Sequence, residues 1–213
     1  MLYFLNAALF IHITLGLTAL LAGLMAIISK KGQKSHRVTG LIFFYSMLGV
    51  AVSAIFISII KVNWFLLHAG VFAFYQNYNG YRSIKNKSLK PSYLDWLVLF
   101  IAIVNSFAML YSLNIILMVY GAISTFLVII DFRIFILTAR NKEIPSKQWL
   151  IRHLGMMLGT YISTFTAFLV VNVEEVAFVP DWLPWLMPTF IGVPLIFYWI
   201  RKYSLKEKSR QSL

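Results

Sequence analysis

The sequence predicts an all-α protein, an integral membrane bundle of seven transmembrane helices forming one membrane domain over residues 1–213. Three observations carry this. Hydrophobic residues make up 60% of the chain and charged residues 12%, where a soluble domain averages about 25% charged; the mean hydropathy is +0.79. The apolar residues fall into runs of about 20, the length that crosses a bilayer as a helix. The basic residues sit in short loops between those runs. The net charge of +12 therefore reads as a loop-charge bias rather than as a nucleic-acid surface.

The runs lie near 7–28, 38–60, 64–81, 94–111, 115–138, 150–172 and 183–200. The first has no Lys or Arg ahead of it, so it lacks the basic start of a secretory signal and is expected to remain as a span. The third is the most polar, with His68, Tyr75 and Tyr78 (or Asn79) near one face and Arg82 a turn further on. The fourth and fifth share one charge-free run, Trp96 to Ile130. As a single helix that run would be about 50 Å long, too long for one crossing. A tight turn at Tyr111-Ser112-Leu113-Asn114 is expected to divide it; a fused helix would leave six spans.

The sixth run carries Gly155, Gly159, Ser163 and Ala167 at every fourth position. Small residues so spaced share a helix face and admit a close neighbour in lipid. A second stripe, His153, Met157, Thr160 and Thr164, should face protein, because lipid satisfies no polar group. The rest of the bundle is expected to pack around this helix. The seventh run contains Pro184, Pro188 and Pro194, and a bend is expected there.

Seven crossings place nearly all the loop charge on one side. That side holds Lys30, Lys31, Lys34 and Arg37, then Arg82, Lys85, Lys87 and Lys90, then Arg140, Lys142, Lys147 and Arg152, and the tail residues Arg201, Lys202, Lys206, Lys208 and Arg210. The other side holds Lys61 with Glu174, Glu175 and Asp181. The positive-inside rule then puts the N-terminus outside and the C-terminus in the cytoplasm. Trp64, Trp182 and Trp185 fall at one set of boundaries and Trp96, Trp149 and Trp199 at the other, as interfacial Trp should.

Several chemistries are excluded. Cys is absent, which removes disulfides, thiolate metal sites and iron–sulfur clusters. No H-E-x-x-H, G-x-S-x-G or Walker-type loop occurs. The last helix has no membrane Lys for a Schiff base.

Four His remain, and topology sorts them into layers. His12 and His68 lie near the outer ends of the first and third spans; His36 and His153 open the second and sixth from the cytoplasmic side. Imidazoles facing each other from separate helices can ligate a haem iron axially. Arg37 and Arg152, beside the inner pair, could bind haem propionates. The plain alternative is four hydrogen-bonded packing residues. Asp131 lies within the fifth span, where a carboxylate needs a partner or a cavity. Arg82 or Arg133 is the expected partner. A polar cavity lined by Tyr75, Asn79, Arg82, Asp131, Thr160 and Thr164 is expected, with room for a quinone head group, a proton or a small solute.

The segments KGQKSHRVTGLIFFYSML, NGYRSIKNKSLKPSYLDW and RHLGMMLGTYISTFTAF together resemble a family of bacterial polytopic membrane proteins known as a domain of unknown function. That resemblance implies a multi-pass protein of the bacterial inner membrane. A looser one is to the transmembrane di-haem b-type cytochromes, which also set a basic turn before H-x-x-x-G, here His36-Arg37-Val38-Thr39-Gly40. It implies haem b on His12, His68, His36 and His153. Those cytochromes draw ligands from four consecutive helices, whereas here two helices intervene before His153. The leading functional expectation is transmembrane electron transfer by a b-type haem held by His12 and His68, with His36 and His153 as a possible second pair, between a lipid-borne quinol and an acceptor at a surface. A small-solute or proton-coupled transporter gated by Asp131 and Arg82, and a membrane scaffold or sensor, are the alternatives.

Overall fold

A computed structural model describes residues 2–173 and 180–211, with side chains for 3–173 and 180–203. The described residues form seven helices and no strand: α1 (Leu2–Ile28), α2 (Lys34–Lys61), α3 (Trp64–Lys85), α4 (Tyr93–Leu110), α5 (Ile115–Ala139), α6 (Gln148–Val173) and α7 (Leu183–Gln211). Glu174 and Glu175, expected on the less basic side, lie outside the described residues.

Side-chain caps and left-handed residues set the breaks. Val62 turns the chain left-handed (φ 50°) after α2, and the Asn63 side chain then accepts from Leu66 N–H to start α3. Ser92 and Asp95 form a reciprocal capping box on α4. The charge-free run divides where expected. Leu113 adopts φ 57°, and Asn114 Oδ1 accepts from the N–H groups of Ile116 and Leu117, so α5 starts afresh. In α7, Pro184 sits in the first turn, where a missing N–H costs little. The helix runs unbroken through Pro188 and Pro194.

Six of the helices are long and apolar enough to cross a membrane: α1 from Tyr3, α2, α4, α5, α6, and α7 as far as Tyr203. The remaining helix, α3, is the polar one, and its position explains how it tolerates that. It touches α2, α4, α5 and α6, so its polar groups meet protein rather than lipid. The hub is thus α3, a correction to the expectation that α6 organises the bundle. Packing neighbours run α1–α2–α3–α6 and back to α1, a closed ring of four helices. Ala19, Ala22, Phe43, Met47, Ala73, Met157 and Tyr161 fill its interior. The α4–α5 hairpin lies against α3 on the other side, through Tyr75, Leu99, Val128 and Phe135. α7 covers α6.

The small-residue stripe of α6 is only partly used. A Cβ on Gly159 would stand 2.4 Å from the Gln76 side chain of α3, so the two helices meet there because Gly159 has no side chain. Gly155 has no neighbour within 4 Å of the same construction, so it serves no close approach.

The hairpin gives a direct test. A Cβ on Gly121 would meet Leu110 N and Met109 Cβ at 3.0 Å each, whereas Gly16 faces nothing within 4 Å. Gly121→Val is expected to destabilise the protein by about 1–3 kcal/mol through overpacking. Gly16→Ala should stabilise it by roughly 0.5–1 kcal/mol, since Ala is the better helix former. Thermal unfolding in detergent reads both, and an unchanged Tm for Gly121→Val would contradict the α4–α5 contact.

Candidate functional site

Two ionic clusters are anchored on α3. In the first, Arg152 from α6 reaches Asp131 of α5: Nε donates to Oδ1 at 2.6 Å and Nη2 to Oδ2 at 2.8 Å. Tyr75 donates its hydroxyl to Asp131 Oδ2 at 2.6 Å. The remaining guanidinium N–H groups go to α3. Nη2 donates to Asn79 Oδ1 at 2.8 Å, and Nη1 to Ser83 Oγ at 3.0 Å and to the Asn79 carbonyl at 3.4 Å. Ser83 passes its own proton to the Asn79 carbonyl at 2.7 Å. Every N–H of the guanidinium is therefore engaged within the protein. Asp131 is 0% and Arg152 5% exposed, and the guanidinium also lies over the Phe135 ring at 5.4 Å.

In the second cluster, Arg82 takes Asp95 of α4 instead. Nε donates to Oδ1 and Nη2 to Oδ2, each at 3.0 Å, and Tyr78 donates to Oδ1 at 2.8 Å. Asp95 Oδ2 also accepts from Ser92 N at 2.7 Å, which ties the pair to the start of α4. The Arg82 side chain is 28% exposed, so this cluster sits at the rim.

These clusters correct the sequence expectations about charge. The partner of Asp131 is Arg152, not Arg82 or Arg133. Arg82 lies on the α4 side of α3 and is taken there, and Arg133 is exposed on α5. Arg152 has no donor left over for a propionate. Of the six residues expected to line a polar cavity, Tyr75, Asn79 and Asp131 do come together, but around a guanidinium. Thr160 and Thr164 return their hydroxyls to the α6 carbonyls of Met156 and Thr160, each at 2.9 Å, and Arg82 joins Asp95.

The four imidazoles show a different pattern. His36 Nδ1 lies 2.9 Å from the Ala26 carbonyl of α1, and His153 Nδ1 lies 2.8 Å from the Gly80 carbonyl of α3. A carbonyl only accepts, so Nδ1 carries the proton in both. His68 Nδ1 lies 2.8 Å from Asn105 Oδ1, and the Asn105 amide is oriented by its Nδ2, which donates to the His68 carbonyl at 3.2 Å. His12 Nδ1 lies 2.9 Å from Ser53 Oγ. That hydroxyl points its proton at the Gly49 and Val50 carbonyls, so again Nδ1 donates. His12 is also engaged by the Val50 backbone. The rings of His36, His68 and His153 hold Nδ1–H inward to the protein, and no hydrogen bond from their Nε2 to a described residue is seen.

Their placement separates the two layers. His36 and His153 lie within Coulombic reach of each other at the basic end of the four-helix ring. They come from α2 and α6, which stand diagonally across it. Gly40, one turn inward from His36, has nothing within 4 Å of a would-be Cβ. Lys31 caps the end of α1 at the Ala26 carbonyl, 3.1 Å away, and at Ile27. Arg37 is exposed beside His36. The outer imidazoles bond to different neighbours, His12 to α2 and His68 to α4, and α4 lies outside the ring. Among the described residues no group of three or more His, Asp or Glu could hold a metal ion.

A family model described as "Predicted membrane protein (DUF2306)" matches residues 9–135, which span α1 to most of α5. No curated protein and no solved structure matches the chain.

The unequal burial of the clusters is measurable. Asp131→Ala strands a guanidinium that has no route to water and should cost about 3–5 kcal/mol. Asp95→Ala leaves Arg82 near solvent and should cost clearly less. Equal losses in thermal stability would contradict the closed environment assigned to Arg152.

Proposed function

The chain belongs to the DUF2306 family of predicted membrane proteins, and we propose that its working site is the His36–His153 pair, placed to hold a b-type haem at the cytoplasmic end of a seven-crossing bundle. The supporting observation is the state of the two rings. Each gives its Nδ1 proton to a backbone carbonyl, of Ala26 or Gly80, and keeps Nε2 as a lone pair. A backbone acceptor behind Nδ1 is the arrangement that fixes tautomer and orientation in a metal-ligating imidazole. α2 and α6, which carry the two rings, stand diagonally across the four-helix ring.

A haem held there would supply one-electron chemistry between a lipid-borne quinol and a cytoplasmic acceptor. The residues of the chain orient the ligands, and Arg37, rather than Arg152, is free to meet a propionate. His12 and His68 carry the same tautomer but bond to α2 and α4, so this reading does not use them as a pair. The orientation, with N-terminus outside in the bacterial inner membrane, rests on the gathering of basic loops at one end.

The transporter reading is less well supported. A proton-coupled carrier needs an acid that exchanges with solvent. Asp131 has both oxygens engaged by Arg152 and one also by Tyr75, at 0% exposure.

Protein purified from haem-replete cells is expected to be red, with visible bands that sharpen on dithionite reduction. His36→Ala and His153→Ala should each abolish the bands, while His12→Ala and His68→Ala should leave them. A colourless, iron-free preparation would overturn the reading, as would bands that survive both inner-pair substitutions.

A further inference from the structure

Arg152 and His153 are consecutive on α6, and their partners are consecutive or one turn apart on α3. Arg152 holds Asn79 and Ser83; His153 holds the Gly80 carbonyl. The first turns of α6 are therefore pinned to one short stretch of α3 by two adjacent side chains. The two attachments differ in strength. The imidazole makes a single bond, from a half-buried ring. The guanidinium makes charge-assisted bonds to a carboxylate in fork geometry and to three further, neutral acceptors, all buried.

We infer that Asp131 and Arg152 are positioning residues for His153, fixing which ring nitrogen keeps its proton and where the other one points. Asp131 touches no imidazole. It acts by fixing the rotation and height of α6 against α3, which sets the 2.8 Å contact from His153 to Gly80. Tyr75 contributes from α3 by holding Asp131 Oδ2. This would account for an ion pair buried where it costs desolvation and where an apolar pair would pack as well. The Arg82–Asp95 pair offers an internal control. It also joins α3 to a neighbouring helix and also includes a Tyr, but it leads to α4 and not to α6. The importance given to His153 rests on the functional reading above; the positioning itself does not.

The test uses the full-length protein with ¹⁵N-labelled histidine in lipid nanodiscs. The wild-type His153 ring should give two widely separated nitrogen signals, from a protonated Nδ1 and a bare or ligated Nε2. In Asp131→Asn that separation should collapse toward the averaged value of a ring exchanging tautomers. Arg152→Lys keeps the charge but cannot fork to Asp131 while holding Asn79 and Ser83. It should do the same, and it decides the matter if Asp131→Asn does not fold. Asp95→Asn should leave His153 unchanged. If haem is bound, haem occupancy should fall by roughly 10-fold or more with Asp131→Asn, the usual scale for losing outer support of a ligand, and should hold in Asp95→Asn. Wild-type His153 signals in Arg152→Lys would overturn the inference whatever the colour of the protein. So would a collapse in Asp95→Asn as large as in Asp131→Asn. A colourless wild type with the expected collapse would instead overturn the haem reading and leave the positioning in place.

Discussion

A guanidinium in the interior of a membrane bundle has to find a partner for each of its N–H groups, because neither lipid nor bulk water supplies one. Arg152 meets that constraint by drawing on α3 and α5 at once. Much of the architecture follows. α3 must be polar on the side that faces α6, so it falls short of the apolarity of the other helices. It must also be surrounded, so α2, α4, α5 and α6 all pack on it. The α4–α5 hairpin, which has few other ties to α6, is held to it through Asp131.

The same constraint separates structural charge from chemistry. The two carboxylates whose side chains are described within helices, Asp95 and Asp131, are each neutralised by an Arg from another helix and bonded by a Tyr. What remains uncommitted is imidazole. The rings of His36 and His153 are each oriented by a backbone carbonyl at the basic end of the ring. The functional proposal rests there because a ligand needs a lone pair that the fold has not used.

Much of this was legible in the sequence. The break between α4 and α5 could be read because a charge-free run of that length cannot cross once, and because Asn114 is a good cap. The sorting of imidazoles into two layers followed from counting crossings. Two things could not be read. Which Arg serves Asp131 depends on how α5 and α6 sit across α3, and local sequence favoured the nearer Arg133 and the helix neighbour Arg82. In the ring α6 follows α3, skipping α4 and α5, and closes against α1; hydropathy carries no signal for that. That arrangement sets the helices that carry His153 and His36 diagonally across one ring, and those two imidazoles form the pair whose sequence spacing departs most from the cytochrome pattern. The uneven use of the small-residue stripe, tight at Gly159 and open at Gly155, likewise depends on where the neighbouring helices diverge.

The account stands on the Asp131–Arg152 pair behaving as one unit. A double-mutant cycle on unfolding in detergent, built from Asp131→Ala, Arg152→Ala and the two together, measures this directly. A coupling of about 2–3 kcal/mol is expected, with the double variant more stable than the sum of the single losses implies. Additive losses, with coupling near zero, would contradict it.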